Sequence, residues 1–489
     1  MRLRFAPSPT GALHVGSARI AIVNYLIALH YQADMILRIE DTDQERSTKE
    51  SLDNILQTLQ WLGISFQEGP YFQSQRTSLY QDYVARLLRE NKAYRCFCSV
   101  QDMETMKEKQ IACHEAPGYD GRCSTLSNDT VQEYLSEGKP YVVRLRVPKE
   151  PIVFEDLIKG SVVFDGTLIP DFVIVRQDGS PTYQLAVVVD DYEMGITHVV
   201  RGEDHVSNTP KQIALYQSLE LPIPAFAHIP LIIGSDRSKL SKRHGDTSIQ
   251  AYREKGYLPQ ALMNYFALLG SSHDSQQEIL SLQQIAHNFS FEHLSKSPSM
   301  FDINKLTWMN HLYIQQLSTD QYRKDLQPFL KNIPLDCSTI EKIATLSQMQ
   351  LKTLQSIQEV CEPFHTFYVD WSDKHVQKLI HKPCLISLLQ QFMQVLKEST
   401  LFSIASLESK FDPLFQAQNV KKRDAIQIVR LAVTGKLISP PLFDTLYLLG
   451  QQKSIERMNQ FLQEVSCQRQ ESLMENETKN IDGKVFSSG

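Results

Sequence analysis

His14 and Gly16 stand two residues apart between a turn rich in proline and glycine (Pro7, Pro9, Gly11) and an apolar run of helix-forming residues. A helix N-terminus offers unpaired backbone N–H groups and the positive end of the helix dipole, so it binds anions, and a glycine there lets a ligand approach closely. The chemistry implied is capture of a nucleotide's phosphates. Far along the chain a compact basic loop, Lys239-Leu240-Ser241-Lys242-Arg243, follows the apolar run 228–234. Flexible ammonium groups on such a loop can neutralise charge on a phosphoryl or nucleotidyl group in transfer, a reaction that is mostly positioning plus electrostatics. Either segment alone is more simply a solvated turn. The pair is far more specific.

These groups meet only if the intervening elements bring them together. Residues 3–6 read as a strand, 18–31 as a helix, 35–40 as a strand and 48–62 as a helix. This βαβ order predicts a parallel sheet with ligands at the carboxyl ends of its strands, where His14 and Glu40 fall. Asp41, Thr42 and Asp43 read alternatively as helix caps. Around 93–188 the texture changes to cysteines, Gly/Pro turns and β-rich stretches at 141–147 and 171–175, as an insertion between two halves of a nucleotide fold would. The second half supplies a strand at 197–201, the turn 202–205, a helix ending near Ser218 and the strand before the lysine loop. Beyond residue 317 amphipathic helical patterns take over, with proline breaks expected near Pro363, Pro383 and Pro440-Pro441. The last stretch, 471–489, is polar without a hydrophobic period and is expected to be a loose tail.

At 489 residues, 42% of them hydrophobic, the chain is expected to fold as two or more domains with separate cores. No apolar run of about eighteen residues or more occurs, and the chain opens on a strand, so neither a membrane span nor a signal peptide is expected; the default is a cytoplasmic enzyme. A net charge of −6 does not advertise a nucleic-acid binder. Basic runs such as Lys421-Lys422-Arg423 suit phosphate contacts, although a solvated helix face is their commoner meaning. Eight cysteines are too few and too uneven for a disulfide scaffold. Cys96, Cys98, Cys113 and Cys123 crowd one region, which points to a metal.

His14-Val15-Gly16-Ser17 and Lys239-Leu240-Ser241-Lys242-Arg243 resemble the H-I-G-H and K-M-S-K-S motifs of class I aminoacyl-tRNA synthetases. Phe5-Ala6-Pro7-Ser8-Pro9-Thr10-Gly11, Leu37-Arg38-Ile39-Glu40-Asp41-Thr42-Asp43, Tyr119-Asp120-Gly121-Arg122, Val189-Asp190-Asp191 and the segment 429–436 narrow the resemblance to the bacterial-type glutamyl-tRNA synthetase family, over residues 2 to about 463. The resemblance implies a Rossmann-like α/β catalytic domain in two halves (1–90 and 190–240) around an inserted acceptor-binding domain (91–189). A stem-contact region (241–316) and an all-α anticodon-binding domain (317–470) would follow. It further implies ATP, Mg²⁺, L-glutamate and tRNA(Glu) as substrates, glutamate activation that requires bound tRNA, no membrane partner, and a monomer. Ser17 replaces the last histidine of the first motif, as is common in this family.

By the same resemblance Arg4, Ser8, Glu40, Tyr183 and Arg201 bind glutamate: Glu40 its ammonium, the two guanidinium forks its side-chain carboxylate, Tyr183 as a hydroxyl and a wall. Arg4 and Glu40 read equally as a mutual salt bridge between neighbouring strands. Val187 stands where some members carry a hydrogen-bonding asparagine. His14 and Gly16 hold ATP with Lys242, while Lys239 and Lys242 neutralise the departing pyrophosphate; no side chain acts as nucleophile, since the substrate carboxylate attacks. A zinc knuckle on Cys96, Cys98 and Cys123 is implied, but the usual histidine is Thr125 here. The fourth ligand stays open among Tyr119, His114 and Cys113, with plain thiols as the alternative. In the helical domain Gln350 aligns with an arginine that discriminates the third anticodon base, so relaxed acceptance of tRNA(Gln) is one expectation and a solvated helix residue the other. The competing functions are a nucleotidyltransferase acting on a small cofactor, a tRNA-modifying paralogue, a glutaminyl-tRNA synthetase-like paralogue and a non-catalytic tRNA-binding regulator. Length and the helical C-terminal pattern disfavour the first three, and retention of His14 and Lys242 disfavours the last.

Overall fold

A computed structural model describes residues 1–43, 45–272, 277–417 and 421–485, and the chain forms two compact units, Met1–Met309 and Asn310–Gly489. In the first unit, strand β1 (Arg2–Phe5) leads into helix α1 (Val15–Tyr31), β2 (Asp34–Ile39), α2 (Lys49–Trp61), β3 (Glu68–Phe72) and α3 (Thr77–Arg89). Strands β1, β2 and β3 pair in parallel in that order. Strand β2 is buried at every position after its first, as expected of a parallel strand covered on both faces. Helix α2 starts at Thr48, whose side chain accepts from the Ser51 N–H. Asp41 is therefore not its cap; it accepts instead from the Ser74 N–H and hydroxyl, at 2.8 and 2.6 Å.

The insertion follows with β4 (Ala93–Cys96), α4 (Val100–Ala112), α5 (Asn128–Ser136), β5 (Val142–Leu145), β6 (Ile152–Asp156), β7 (Gly160–Phe164) and β8 (Val173–Val175). Strands β4, β5 and β8 form an antiparallel sheet. The hairpin β6–β7 departs from the expected boundary. Although it lies within the stretch read as inserted, it joins the sheet of the second half, in the order β7-β6-β10-β9 with β9 (His198–Gly202) and β10 (Ala225–Ile229). The reason is local: β10 has one edge on β9 and a second that would otherwise be unpaired, and the Leu157 N–H donates to Phe226 O there at 2.8 Å. Helix α6 (Tyr183–Glu193) crosses the expected end of the insertion and α7 (Thr209–Ser218) links β9 to β10. The two sheets meet where the Thr197 N–H donates to Arg2 O at 3.1 Å.

The second unit contains helices and no strand among its described residues. Pro363 lies in the last turn of the helix Ile357–His365, which ends two residues beyond it, close to the expected break. The last helix, Gln451–Val485, runs into the segment 471–489 expected to be a loose tail, of which 486–489 lie outside the described residues. That stretch has no proline, and its three glutamates and two lysines are good helix formers, so backbone propensity favours a helix that hydrophobic periodicity does not announce. No helix among the described residues is long and apolar enough to cross a membrane.

Candidate active site

A cavity of about 670 Å³ opens at the carboxyl ends of β1, β2, β9 and β10. At one end is the start of α1. His14 is its N-cap, and Nδ1 accepts from the Gly16 N–H at 3.1 Å, which leaves Nε2 to carry the proton of a neutral ring. Burial, helped by the charge of Lys239, lowers the His14 value and keeps the ring neutral. A Cβ at Gly16 would meet only His14 Nδ1, at 3.5 Å, so the glycine leaves space to a ligand rather than to the fold. Arg19, one helical turn on, is buried and donates to Pro230 O and Leu269 O, both at 2.8 Å, which ties α1 to the strand entering the lysine loop.

That loop is built around His244. Its Nδ1 accepts from the Ser241 N–H at 3.1 Å, and Nε2 lies 3.0 Å from Asp236 Oδ1. A Cβ on Gly234 would fall 2.4 Å from the ring, so only glycine admits it. Lys239 lines the cavity beside His14 and Gly16. Lys242 opens a 3-10 turn, Lys242–His244, and its side chain lies outside the described residues.

At the other end are Arg4, Ser8, Glu40, Tyr183 and Arg201, all on the same cavity wall. Arg4 and Glu40 are not paired with each other. Arg4 Nε donates to Asp191 Oδ1 at 3.1 Å, and Arg38 Nη2 donates to Glu40 Oε1 at 3.3 Å. Arg38 is buried and also donates to Asp191 Oδ1 at 2.7 Å. Asp190, beside it, accepts from Arg76, Gln73 and Tyr80 at 2.7, 2.9 and 2.8 Å. Burial raises the Glu40 carboxyl, and Arg38 and Arg4 offset this only in part, so Glu40 lacks a full counter-charge. Arg201 is the complement: burial lowers its value, its hydrogen-bond acceptors are the neutral groups His228 and Thr209, and Nη1 is buried without a partner. Tyr183 bonds His205 Nδ1 at 2.9 Å. Burial, then the nearby Arg201 charge, lowers His205 to about 4, so its ring is neutral and accepts from the phenol. The cavity thus presents an incompletely neutralised carboxylate and an unpaired guanidinium donor beside a helix start with free N–H groups, an arrangement that could take an amino acid with an acidic side chain.

Val187 is buried in α6. Asp190, Asp191, Arg38, Asp156 and His228 were not singled out by sequence as parts of the site. The signal for three of them was present: an arginine inside the apolar strand β2 and two aspartates ending the apolar turns of α6 have no place in a core unless they pair.

A second cluster lies in the insertion. The sulfurs of Cys96, Cys98 and Cys123 are within 4.8 Å of one another. The Tyr119 hydroxyl donates to Cys96 Sγ at 3.4 Å and accepts the Cys123 N–H at 3.0 Å. Cys113 and His114 are exposed outside the cluster, and the Thr125 hydroxyl bonds Arg122 O. Hydrogen bonding from Cys123, with a further bond from Tyr119, pulls the Cys96 thiol below its ordinary value. Three sulfurs and one phenolic oxygen fit a tetrahedral zinc ion in donor type and number.

Comparison with known proteins identifies the family. The family model for the class I tRNA synthetase (E and Q) catalytic domain matches residues 1–308, and that for an anticodon binding domain matches residues 321–462. Glutamate--tRNA ligase 2 of Thermoanaerobacter pseudethanolicus is 41% identical over 464 residues, 94% of this chain and 97% of the relative. The glutamate--tRNA ligase of Legionella pneumophila strain Corby is 41% identical over 473 residues, 95% of this chain and 98% of that one. The crystal structure of a glutamate tRNA ligase from Elizabethkingia meningosepticum in complex with its amino acid superposes with a TM-score of 0.81 at 30% identity, covering 94% of this chain and 98% of the other.

Proposed function

The chain belongs to the glutamate--tRNA ligase family of class I aminoacyl-tRNA synthetases, and from this premise we propose that it joins L-glutamate to the 3′ end of tRNA(Glu) through glutamyl-adenylate. An α-carboxylate oxygen of glutamate attacks the α-phosphorus of ATP, the bond to the bridging oxygen breaks, and pyrophosphate leaves. A ribose hydroxyl at the tRNA 3′ end then attacks the acyl carbon and releases AMP. The observation that carries this reading is the pairing, in one cavity, of the unpartnered Arg201 Nη1 with the under-compensated Glu40, next to His14 and Lys239. Glu40 takes the ammonium; Arg201 and Arg4 take the side-chain carboxylate, with Tyr183 and Ser8 completing the wall. His14 and Gly16 hold the triphosphate at the helix start, and Lys239 and Lys242 meet the charge that grows on the leaving pyrophosphate. Mg²⁺ bound with ATP would screen the charge of the phosphate oxygens.

Zinc on Cys96, Cys98, Cys123 and Tyr119 would staple the insertion, with the phenolic oxygen as fourth ligand. On the family resemblance, with Gln350 in the place of the discriminating arginine and exposed to a ligand, tRNA(Gln) is also charged with glutamate and the enzyme works as a monomer.

Aminoacylation of purified tRNA pools with labelled glutamate and, separately, labelled glutamine tests the function. Glutamate is expected to be incorporated and glutamine not; preferential use of glutamine, or of neither, rejects it. In a separate assay of tRNA-dependent pyrophosphate exchange, Lys242→Ala should slow the exchange about a hundredfold, the loss typical of one transition-state charge contact.

A further inference from the structure

The two arginines of the proposed clamp are held differently. Arg4 rests on an acid, Asp191, which compensates much of its charge. Arg201 rests directly on neutral groups. Its Nε–H donates to His228 Nε2 at 3.1 Å and its Nη2 group donates to Thr209 Oγ1 at 2.8 Å. Arginine only donates, so His228 Nε2 must accept, and the ring proton sits on Nδ1, 2.6 Å from Asp156 Oδ2. Asp156 is itself fixed, since Oδ1 accepts from the N–H groups of Ile158 and Lys159 at 2.9 and 2.8 Å. Phe226 stacks on the imidazole at an interplanar angle of 10°, and Phe154 meets it edge-on. All three relay residues are buried, one each on β6, β10 and β9.

We propose that Asp156 and His228 are positioning residues for the choice of glutamate over its amide: Asp156 sets the tautomer of His228, and His228 aims Arg201 Nη1 into the cavity without cancelling its charge. An acid in the place of His228 would compete with the substrate carboxylate for the guanidinium, whereas a neutral ring nitrogen orients it and leaves its charge to the ligand. The inference rests on Arg201 being the carboxylate ligand of the function proposed above.

Steady-state kinetics on the full chain with tRNA(Glu) test it. His228→Leu removes the acceptor and should raise the glutamate KM at least tenfold, leave the ATP KM within about threefold, and narrow discrimination against glutamine by a similar factor. His228→Gln, whose amide oxygen can accept from Arg201, should return the glutamate KM to within about threefold of wild type. A ¹⁵N spectrum of histidine-ring-labelled protein, with the His228 signal identified by its loss in His228→Gln, should show the Nδ1-protonated tautomer, and Asp156→Asn should mix the tautomers. An Nε2-protonated His228, or an unchanged glutamate KM in a folded His228→Leu protein, overturns the relay. Should His228→Leu not fold, Asp156→Asn replaces it in the kinetics and must raise the glutamate KM. A wild-type chain that charges no glutamate rejects the underlying function and the relay together, whereas a wild type that charges normally beside unaffected variants rejects the relay alone.

Discussion

Asp191 holds two guanidinium groups on a single oxygen, Arg4 at 3.1 Å and Arg38 at 2.7 Å. Burial would raise its carboxyl, yet the two arginines outweigh burial and hold it below the ordinary value. Glu40, with a longer bond to Arg38 and no second donor among its hydrogen bonds, goes the other way. The difference is one of partners: Asp191 is committed to two guanidinium groups of the protein, whereas Glu40 is left with one longer bond, as the role proposed for it requires. Asp191→Asn would strand buried positive charge and should cost about 3–5 kcal/mol in urea unfolding at neutral pH. The sign of its pH dependence follows from the lowered folded value. The stability gap between wild type and variant should be full above about pH 4, the ordinary aspartate range, and should close as pH falls through the folded value below it. A gap that stays constant down to pH 3 would contradict this. At this scale the pairing of Arg4 was not legible. Spacing on adjacent strands offered Glu40 as its partner, whereas the partner it has lies 187 positions away on α6.

Among the elements, the start of α1 and the lysine loop illustrate how local rules build a site. A histidine N-cap, a glycine that leaves space and a buried arginine one turn later set the helix start; a histidine packed on a glycine sets the loop. The cysteine cluster is the corresponding device in the insertion, where β4 supplies Cys96 and the turn Arg122–Thr125 supplies Cys123. Purified protein should carry about one zinc per chain, and Cys98→Ser should lose it and lower the thermal midpoint of unfolding. Elemental analysis beside a melting curve checks both; a metal-free preparation with full stability would leave a set of plain thiols. The Cys-x-Cys spacing disclosed the cluster, but it could not rank the fourth ligand. Tyr119 was separated from His114 and Cys113 only by where the backbone between α4 and Cys123 turns back, which puts its hydroxyl on Cys96 Sγ and on the Cys123 N–H.

In the whole molecule, activation and tRNA reading belong to different compact units, each with its own matching family model. In the helical unit Gln348 is tied to Ile314 O and Leu317 O, Leu351 and Leu354 are buried, and Gln350 faces solvent. If Gln350 permits both anticodons, Gln350→Arg should lower kcat/KM for tRNA(Gln) by about ten- to a hundredfold and leave tRNA(Glu) within about threefold, a shift typical of one base-reading contact. Equal effects on both tRNAs would remove Gln350 from the anticodon contact. By itself the sequence determined the βαβ order of the first strands and helices, the two motif segments at 14–17 and 239–243, the cysteine group and the family, because periodicity, turn residues and motif spacing are properties of short stretches of chain. Only the tertiary structure decided which charges meet. Asp191 with Arg4, Asp156 with His228 and His228 with Arg201 are pairs that the parallel-sheet crossovers bring together from distant stretches, and the loss of solvent around them makes each partner's identity decide whether a group stays charged, neutral or open to a ligand.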